Sequence, residues 1–553
     1  MKFLLREYLG MLKEDRELDV LITDLLFNMD IVPLTKPKRG RQHGVDVSAV
    51  GVDPDDGKKK VFLMVIKQGD FTRTTWNKDV NSIRPTLDEV RDVYIKDLIP
   101  KKYARLKKKI IVSCNGELDP NVNQNWSAYT REHTKRNLEF DFWGKDKLVQ
   151  LLNDYSISEQ MLPESDRMLL RKTLSFLDLP DYDLRHFYQL IGDILGRKAT
   201  SNKAIIKKIR LVALCLNILF RWSEDTKNLK PAVVASERVV LTLWDCLQKN
   251  NLLGEKGMMP EFYKVHSLKG EIGKLYFLKI QGHCYVQDSL YSYARTHTEY
   301  ALLTWEHIGL ISIAGLTEIF NTHLHEVIES AEQLIQRKKN ADAIANGLVN
   351  LINHNLSSAS IKYDEHCIEF SLAAILMVNT SNQDFLKGWM KAIISGLRDT
   401  YRFNKFFPLF HTSYDKLLSI ELGDEQADVT SSIFLTILAD WACMLDDNSL
   451  YQKIRNLTLN EFKGVDLQLW FPEKDIEEHL YSKNAMKTGS TLHSIELPAD
   501  MQEYEKNIRY ELERFSVEKE SSIIQYGAYY LGYVASRHFR TYVMPYFWRA
   551  FLK

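Results

Sequence analysis

A carboxylate and a lysine stand at the ends of two neighbouring apolar runs near the start of the chain. Asp46 begins the first run, and Lys67 follows the second, Val61 to Ile66. The turn between them, Asp53 to Gly57, consists of residues that break regular structure, so the two runs predict paired strands. A carboxylate can bind a divalent cation that activates water, and a lysine can offset charge developing on a phosphate. Asp46 and Lys67 are therefore candidates for hydrolysis of a phosphodiester.

A metal site of this kind usually has a second carboxylate ligand, and more than one residue could supply it. The position two before Lys67 shares its strand face, but Val65 occupies it. Glu17 lies beside the apolar stripe of a helix predicted over residues 14–29 and could reach the edge of the site. Glu14, one turn earlier, competes with it.

Three consequences of the valine remain open. Gln68 or Asp70 replaces the missing acid if the strand bulges after residue 67, although both point to the opposite face of a regular strand. Alternatively, Asp46, Glu17, waters and the phosphate hold the cation. In the third alternative, the fold is kept for binding and the chemistry is lost.

The elements that must position these residues alternate between helix and strand. After the first helix and the hairpin come a helical stretch over 86–98, the apolar strand "IIVSC", and a helix over 121–135. The strand "LEFDFW" and the helix "KDKLVQLLNDY" follow. This order predicts a three-layer α/β domain over residues 1–157.

The remainder of the chain reads as mostly helical. Residues 158–182 are expected to form a linker with a helical connector, and 183–380 an α-rich domain. Alternating residues from 263 to 288 suggest a small β-hairpin within that domain. Residues 381–553 are expected to form a helical subdomain with an aromatic-rich end.

The order of the N-terminal motifs resembles the PD-(D/E)xK nuclease superfamily, in the restriction-endonuclease-like branch of type IV restriction enzymes and anti-phage effectors. The resemblance covers about the first 150 residues and is carried by "GVD", "VFLMVIKQGD", "KKIIVSCNG" and "FWGKDKLVQLL". It implies a mixed central sheet flanked by helices.

The resemblance also implies roles for individual residues. Asp46 would be a catalytic metal ligand, Lys67 the catalytic lysine and Glu17 a further catalytic and metal-binding acid. Ile66 would lend its backbone carbonyl to Mg²⁺ or Mn²⁺. Val65 departs from the family's Glu or Gln and removes one ligand or water-orienting group.

A basic loop precedes the hairpin and is expected to contact nucleic acid. Its cations could bind phosphates that flank the cut; the predicted contacts are Lys36, Lys38, Arg39 and Arg41, with Gln68. Residues 1–155 carry 28 Lys and Arg against 24 Asp and Glu, a net of +4 in a chain that is neutral overall. This excess suits an anionic partner.

Composition excludes several other classes of protein. The six cysteines form no CxxC pair and are read as buried thiols in a reducing compartment. Neither a phosphate loop of the GxxxxGK[ST] type nor a run of 18 apolar residues occurs. We expect a cytoplasmic protein with no membrane contact.

The sequence thus predicts a metal-dependent endonuclease acting on double-stranded DNA as the effector of bacterial anti-phage or foreign-DNA defence. The helical region would serve sensing, partner binding or homo-oligomerisation. The alternative is a catalytically inactive nuclease-fold subunit that binds nucleic acid or scaffolds a defence complex.

Overall fold

The chain divides into two compact units, residues 1–228 and 229–553. The computed structural model describes residues 2–34, 43–80, 82–156, 163–177, 179, 182–199, 201–320, 331–404, 413–425, 431–473, 476–481, 489–514, 521–544 and 549. An N-terminal mixed α/β region is followed by a mostly helical remainder, as predicted.

The first unit contains a five-stranded sheet in sequence order. Its strands are β1 (Val32–Pro33), β2 (Val47–Val52), β3 (Lys59–Lys67), β4 (Lys107–Cys114) and β5 (Leu138–Trp143). The pairs β1–β2 and β2–β3 are antiparallel, whereas β3–β4 and β4–β5 are parallel. The strands predicted at the hairpin and at "IIVSC" and "LEFDFW" are confirmed, and β1 was not predicted.

Helices lie before, between and after the strands. They are α1 (Lys2–Met11), a π-helical turn (Glu14–Leu18), α2 (Asp19–Asn28), α3 (Arg73–Trp76), α4 (Ile83–Glu89), a π-helical segment (Val90–Leu98), a 3₁₀ turn (Lys101–Tyr103), α5 (Pro120–His133), α6 (Lys145–Leu151), a π-helical turn (Leu152–Ser156), α7 (Glu164–Ser175), α8 (Arg185–Gly196) and α9 (Asn202–Asp225). The single helix predicted over 14–29 is therefore a π turn that continues into α2.

Local sequence accounts for the hairpin and for the central strand. The Gly57 amide donates to the Asp53 carbonyl at 2.8 Å, and Gly57 has a φ of +70°, which glycine adopts without strain. β3 is rich in β-branched and other apolar residues and is buried from Lys60 to Ile66. It pairs with β2 on one side and with β4 on the other, so both of its edges are hydrogen-bonded within the sheet.

One face of the sheet packs against α3, α4 and α5. The side chains of Val61, Leu63 and Val65 enter an apolar cluster with Trp76 and Trp126. All five are buried, so this face of β3 forms part of the core of the first unit.

The first unit extends well past the domain boundary predicted at residue 157. Ion pairs anchor α9 to the N-terminal helices, from Arg210 to Asp24 at 3.2 Å and from Lys203 to Asp30 at 2.7 Å. These contacts belong to the first unit, and the domain bounds predicted from the sequence stay predictions.

The second unit is built mainly from helices. They are α10 (Lys230–Lys249), α11 (Met258–Cys284), α12 (His297–Phe320), α13 (Ala331–His354), α14 (Cys367–Asn379), α15 (Gln383–Asn404), α16 (Tyr414–Leu422), α17 (Phe434–Met444), α18 (Asn448–Asn460), α19 (Ile476–Leu480), α20 (Met501–Arg514), α21 (Ser522–Gln525) and α22 (Tyr530–Phe539), with 3₁₀ turns at Ser289–Tyr293, Leu356–Ala359 and Asp364–His366. Two short pairs of strands accompany them, β6 (Ser431–Ser432) with β7 (Asp466–Leu467), and β8 (Leu469–Pro472) with β9 (Gly489–Leu492).

The hairpin suggested between residues 263 and 288 is wrong, because α11 covers most of this segment. Its buried residues include Phe262, Val265, Lys269, Ile272 and Tyr276, which follow the spacing of three and four that marks one helical face. Among the described residues, no helix is long and apolar enough to cross a membrane.

Candidate active site

Asp46 lies at the start of β2, where its side chain reaches the neighbouring strand. Its Oδ2 accepts a hydrogen bond from the Ile66 amide at 2.6 Å, while its own amide donates to the Met64 carbonyl at 2.9 Å. The Asp46 carboxylate therefore adds one hydrogen bond to those that pair β2 with β3. Its other oxygen, Oδ1, has no hydrogen-bond partner within the described ranges, which leaves it available to a ligand.

Lys67 ends β3 and is joined to an acid of the π turn. Its Nζ donates to Glu14 Oε1 at 3.0 Å, and the other oxygen of Glu14 accepts from the Gln68 amide at 3.2 Å. The lysine side chain is 27% exposed and that of Glu14 is 41% exposed, so the pair is partly accessible to solvent. The end of β3 thus carries an accessible cation held by a carboxylate.

The π turn brings two acids to this place. The Asp19 amide donates to the Glu14 carbonyl, five residues back. In an α-helix these residues would be about 140° apart around the axis, whereas the wider π turn aligns them on one face. Such turns occur frequently at functional sites. Asp19 was not predicted as a site residue, and its spacing from Glu14 shows no signal until the π turn is known.

The electrostatics of Asp46 reflect this arrangement. Burial raises the pKa of its carboxyl group to about 6; the Ile66 amide and the charge of Lys67 oppose this rise, and the charges of Glu14 and Asp19 add to it. The charges of Glu14, Asp19 and Lys67 thus all act on the Asp46 carboxyl group. A cation bound at Asp46 and Glu14 would favour the ionised form of the Asp46 carboxyl group.

Glu17, the acid expected from the first helix, is engaged elsewhere. Its Oε1 lies 2.7 Å from Arg221 Nη2, and its Oε2 accepts from the Lys13 amide at 2.7 Å. The acid that contacts Lys67 is Glu14, the competing candidate. A salt bridge to α9, more than 200 residues away in sequence, could not be read from the local pattern.

Val65 and Ile66 occupy different environments. Val65 is fully buried in the apolar cluster beneath α3, α4 and α5, so this position belongs to the core. The contact between Ile66 and Asp46 is through its amide, and the metal contact expected of its carbonyl stays a prediction. Asp70 Oδ1 accepts from the Glu117 amide at 2.9 Å, which ties this acid to the loop after β4; its use in place of the missing acid stays a prediction.

The predicted nucleic-acid contacts fall in two places. Gln68 is exposed beside Glu14, at the mouth of the site. The basic loop residues lie outside the described residues; they are Lys36, Lys38, Arg39 and Arg41.

A further polar side chain, Asn115, connects the elements of the site and was not predicted. Its Nδ2 donates to the Leu9 and Leu12 carbonyls at 2.9 and 2.7 Å, and its Oδ1 accepts from the Gly69 amide at 2.7 Å. The only hint in the sequence is its place directly after a buried strand, in "SCNG".

The donor set fits the usual coordination of Mg²⁺. No group of three or more His, Cys, Asp or Glu arranged to hold a metal ion occurs in the described part of the chain. Mg²⁺, by contrast, is commonly held by one or two carboxylates together with waters and substrate phosphates. Asp46 and Glu14 can supply those two carboxylates.

Comparisons of the chain with known protein families, with curated proteins and with solved structures gave no match. The geometry at the end of β3 is therefore the basis on which a function can be assigned.

Proposed function

We propose that the first unit is a Mg²⁺- or Mn²⁺-dependent phosphodiester hydrolase of the PD-(D/E)xK type, with a restriction-endonuclease-like sheet. The observation that carries the proposal is the approach of Glu14, Asp46 and Lys67, from three separate elements, to one end of β3. Their residue types are those that metal-assisted phosphodiester hydrolysis uses.

The roles of the side chains follow from their contacts. Asp46 would hold the cation through Oδ1 while Oδ2 stays fixed by the Ile66 amide, and Glu14 would add a second carboxylate. A divalent cation bound there polarises the phosphate and lowers the pKa of the attacking water. Lys67 would exchange its contact with Glu14 for the phosphate and stabilise the charge that develops in the transition state. Glu17 has no part in this step, because it neutralises Arg221.

The wider biological setting is proposed from the resemblance alone. Double-stranded DNA is the substrate, and the chain acts as an effector of bacterial defence against phage or foreign DNA. The helical second unit would serve sensing, partner binding or self-assembly.

A second candidate function is supported by two specific contacts. Val65 fills the core where an acid would stand, and the bond from Asp46 to the Ile66 amide has a structural use by itself, because it satisfies a strand end. Both features would be present in a non-catalytic subunit that binds nucleic acid or scaffolds a complex.

Cleavage of plasmid DNA by the full chain distinguishes the two functions. With Mg²⁺ or Mn²⁺ the wild type should cut, and EDTA should stop it. Lys67→Ala should lower the rate by on the order of 10²–10³-fold, since it removes a charge that acts in the transition state. Lys59→Ala is the matched control, since Lys59 is an exposed lysine at the opposite end of the same strand.

Two outcomes would count against the hydrolase. Cleavage that survives Lys67→Ala would come from a contaminant or from another site. Binding of DNA by the wild type without cutting, in either metal, would favour the scaffold. Single-stranded and double-stranded RNA in parallel reactions test the choice of substrate.

A further inference from the structure

Asn115 is a buried side chain whose amide group joins two separate parts of the chain. It follows β4 directly and is 5% exposed. Both of its donated bonds end on carbonyls at the C-terminal end of α1, those of Leu9 and Leu12. The last carbonyls of a helix lack partners within the helix, so this amide group caps α1 from a distance. Its oxygen meanwhile accepts from the Gly69 amide, in the loop that follows β3.

The two segments held by Asn115 are those that carry the candidate site. Leu12 is two residues before Glu14, and Gly69 is two residues after Lys67. The three hydrogen bonds, of 2.7 to 2.9 Å, therefore set how far the Glu14 carboxylate stands from the end of β3. Only an amide can do this, because the position needs two donors on one side and an acceptor on the other.

The loop after β3 is hydrogen-bonded to the loop after β4, because the Phe71 amide donates to the Glu117 carbonyl at 2.8 Å. A Cβ atom on Gly116 would lie 2.5 Å from the backbone of Gly69, so the two loops approach as only glycine allows. Gly69 itself has a φ of +80°, a conformation that residues with a side chain rarely adopt. The loop after β3 is thus held by the end of β4, and Asn115 extends this support to α1.

We propose that Asn115 is a positioning residue of the candidate site, which places Glu14 against the end of β3 for binding of a divalent cation. This inference rests on the proposed function and adds a residue that contacts neither the cation nor the substrate. Side chains that orient metal ligands typically change metal affinity or activity by about 10–100-fold when they are replaced.

A double-mutant cycle on Mn²⁺ binding to the metal-free full chain, followed by isothermal titration calorimetry, tests the proposal. Asn115→Asp keeps the shape and the acceptor but removes the donors, and should raise the Mn²⁺ dissociation constant by about 10–100-fold. In the Glu14→Gln background the same substitution should change it less than about twofold, because the residue being positioned is gone. Asn125→Asp, at an exposed position of α5, is the control for added charge.

Several outcomes would overturn the proposal. Equal weakening by Asn115→Asp in both backgrounds would show a general structural role, and unchanged binding in both would show no role. Asn115→Ala, which adds no charge, should repeat the pattern of Mn²⁺ affinities. Hydrogen exchange of the Gly69 amide should be faster in Asn115→Ala, which removes the acceptor of that amide, than in Asn115→Asp, which keeps it. A wild type that binds no Mn²⁺ would contradict the proposed function itself. A wild type that binds Mn²⁺ with an Asn115 variant of equal affinity would contradict only the role of Asn115.

Discussion

The two ends of the β2–β3 pair carry the same kinds of residue, but the pKa of the aspartate is lowered at one end and raised at the other. Each end has an aspartate of β2 or its flank, and a lysine of β3. At the hairpin end, Asp53 and Lys60 are 1% and 2% exposed and lie 2.7 Å apart. Lys109 of β4 lies 3.0 Å from the same Asp53 oxygen. Two cations thus share one buried carboxylate.

Further acids complete the network at the hairpin end. Lys60 also binds Asp56 and Glu139, and Lys109 binds Asp55 and Asp141. Burial opposes ionisation of Asp53, but hydrogen bonds from Lys60, the Asp55 amide and Lys109 outweigh it, so the pKa of Asp53 is lowered. Every charge there has a protein partner, as a structural cluster requires.

The other end of the strand pair, at Asp46 and Lys67, has fewer charge partners. Lys67 is paired with Glu14, while Asp46 receives one backbone hydrogen bond and its pKa is raised to about 6, chiefly by burial. The difference teaches that a buried aspartate and a strand lysine do not by themselves mark a functional site. The feature that distinguishes the proposed site is a carboxyl group whose pKa is raised by burial and that receives one backbone hydrogen bond.

The largest expected effect belongs to the hairpin end. Lys60→Met should lower the free energy of unfolding by about 3–5 kcal/mol, because it breaks a buried ion pair and leaves Asp53 with Lys109 in place of two cations. Chemical denaturation of the purified chain measures this. The neighbouring Lys59→Met, at an exposed position, should change stability by no more than about 0.5 kcal/mol. A loss below about 1 kcal/mol for Lys60→Met would mean that the hairpin network does not hold the fold.

Replacement of Asp46 and replacement of Asp53 by asparagine should change the free energy of unfolding in opposite directions at neutral pH. A carboxyl group whose pKa is raised on folding favours the folded state when protonated, and this contribution is lost as the pH rises through about 6. Asp46→Asn should therefore be more stable than the wild type by up to about 3 kcal/mol near pH 7.5 in EDTA. This gain in stability should vanish near pH 4. The same variant should lose the proposed cleavage activity at any pH, because it lacks the metal-binding carboxylate.

Asp53→Asn is the matched comparison for that measurement. Because folding lowers the pKa of Asp53, its ionised form stabilises the folded state at neutral pH, so the variant should be less stable there. The deficit should shrink as the pH falls below the ordinary aspartate pKa of about 4. Thermal unfolding of the wild type, Asp46→Asn and Asp53→Asn at several pH values measures these differences. A loss of stability in both variants near pH 7.5 would contradict the electrostatic difference between the two ends of the strand pair.

The smallest expected effect concerns the rim of the hairpin network. Asp55 is 57% exposed and binds only Lys109 at 2.7 Å among the ion pairs described for it. Asp55→Asn should cost less than about 1 kcal/mol, and the cost should disappear at about 1 M salt, where exposed pairs are screened. A larger or salt-insensitive loss would place Asp55 inside the buried network.

Part of the candidate site could be predicted because it depends on local pattern. The apolar runs around Asp46 and Lys67 indicated two strands, and the strands end where those residues stand. The second acid could not be chosen in this way. Glu14 and Glu17 are three residues apart on a helix, and both are compatible with the same apolar stripe.

Sequence by itself determined the alternation of helices and strands in the first unit, the position of the hairpin and the helical character of the remainder, because these follow from the spacing of apolar residues and from turn-forming residues. Tertiary structure alone decided that Glu14 contacts Lys67, that Arg221 takes Glu17, and that Asn115 joins α1 to the loop after β3. The physical reason is distance along the chain: these contacts link residues 53 to more than 200 positions apart, and only the packed fold brings such charges and amides together.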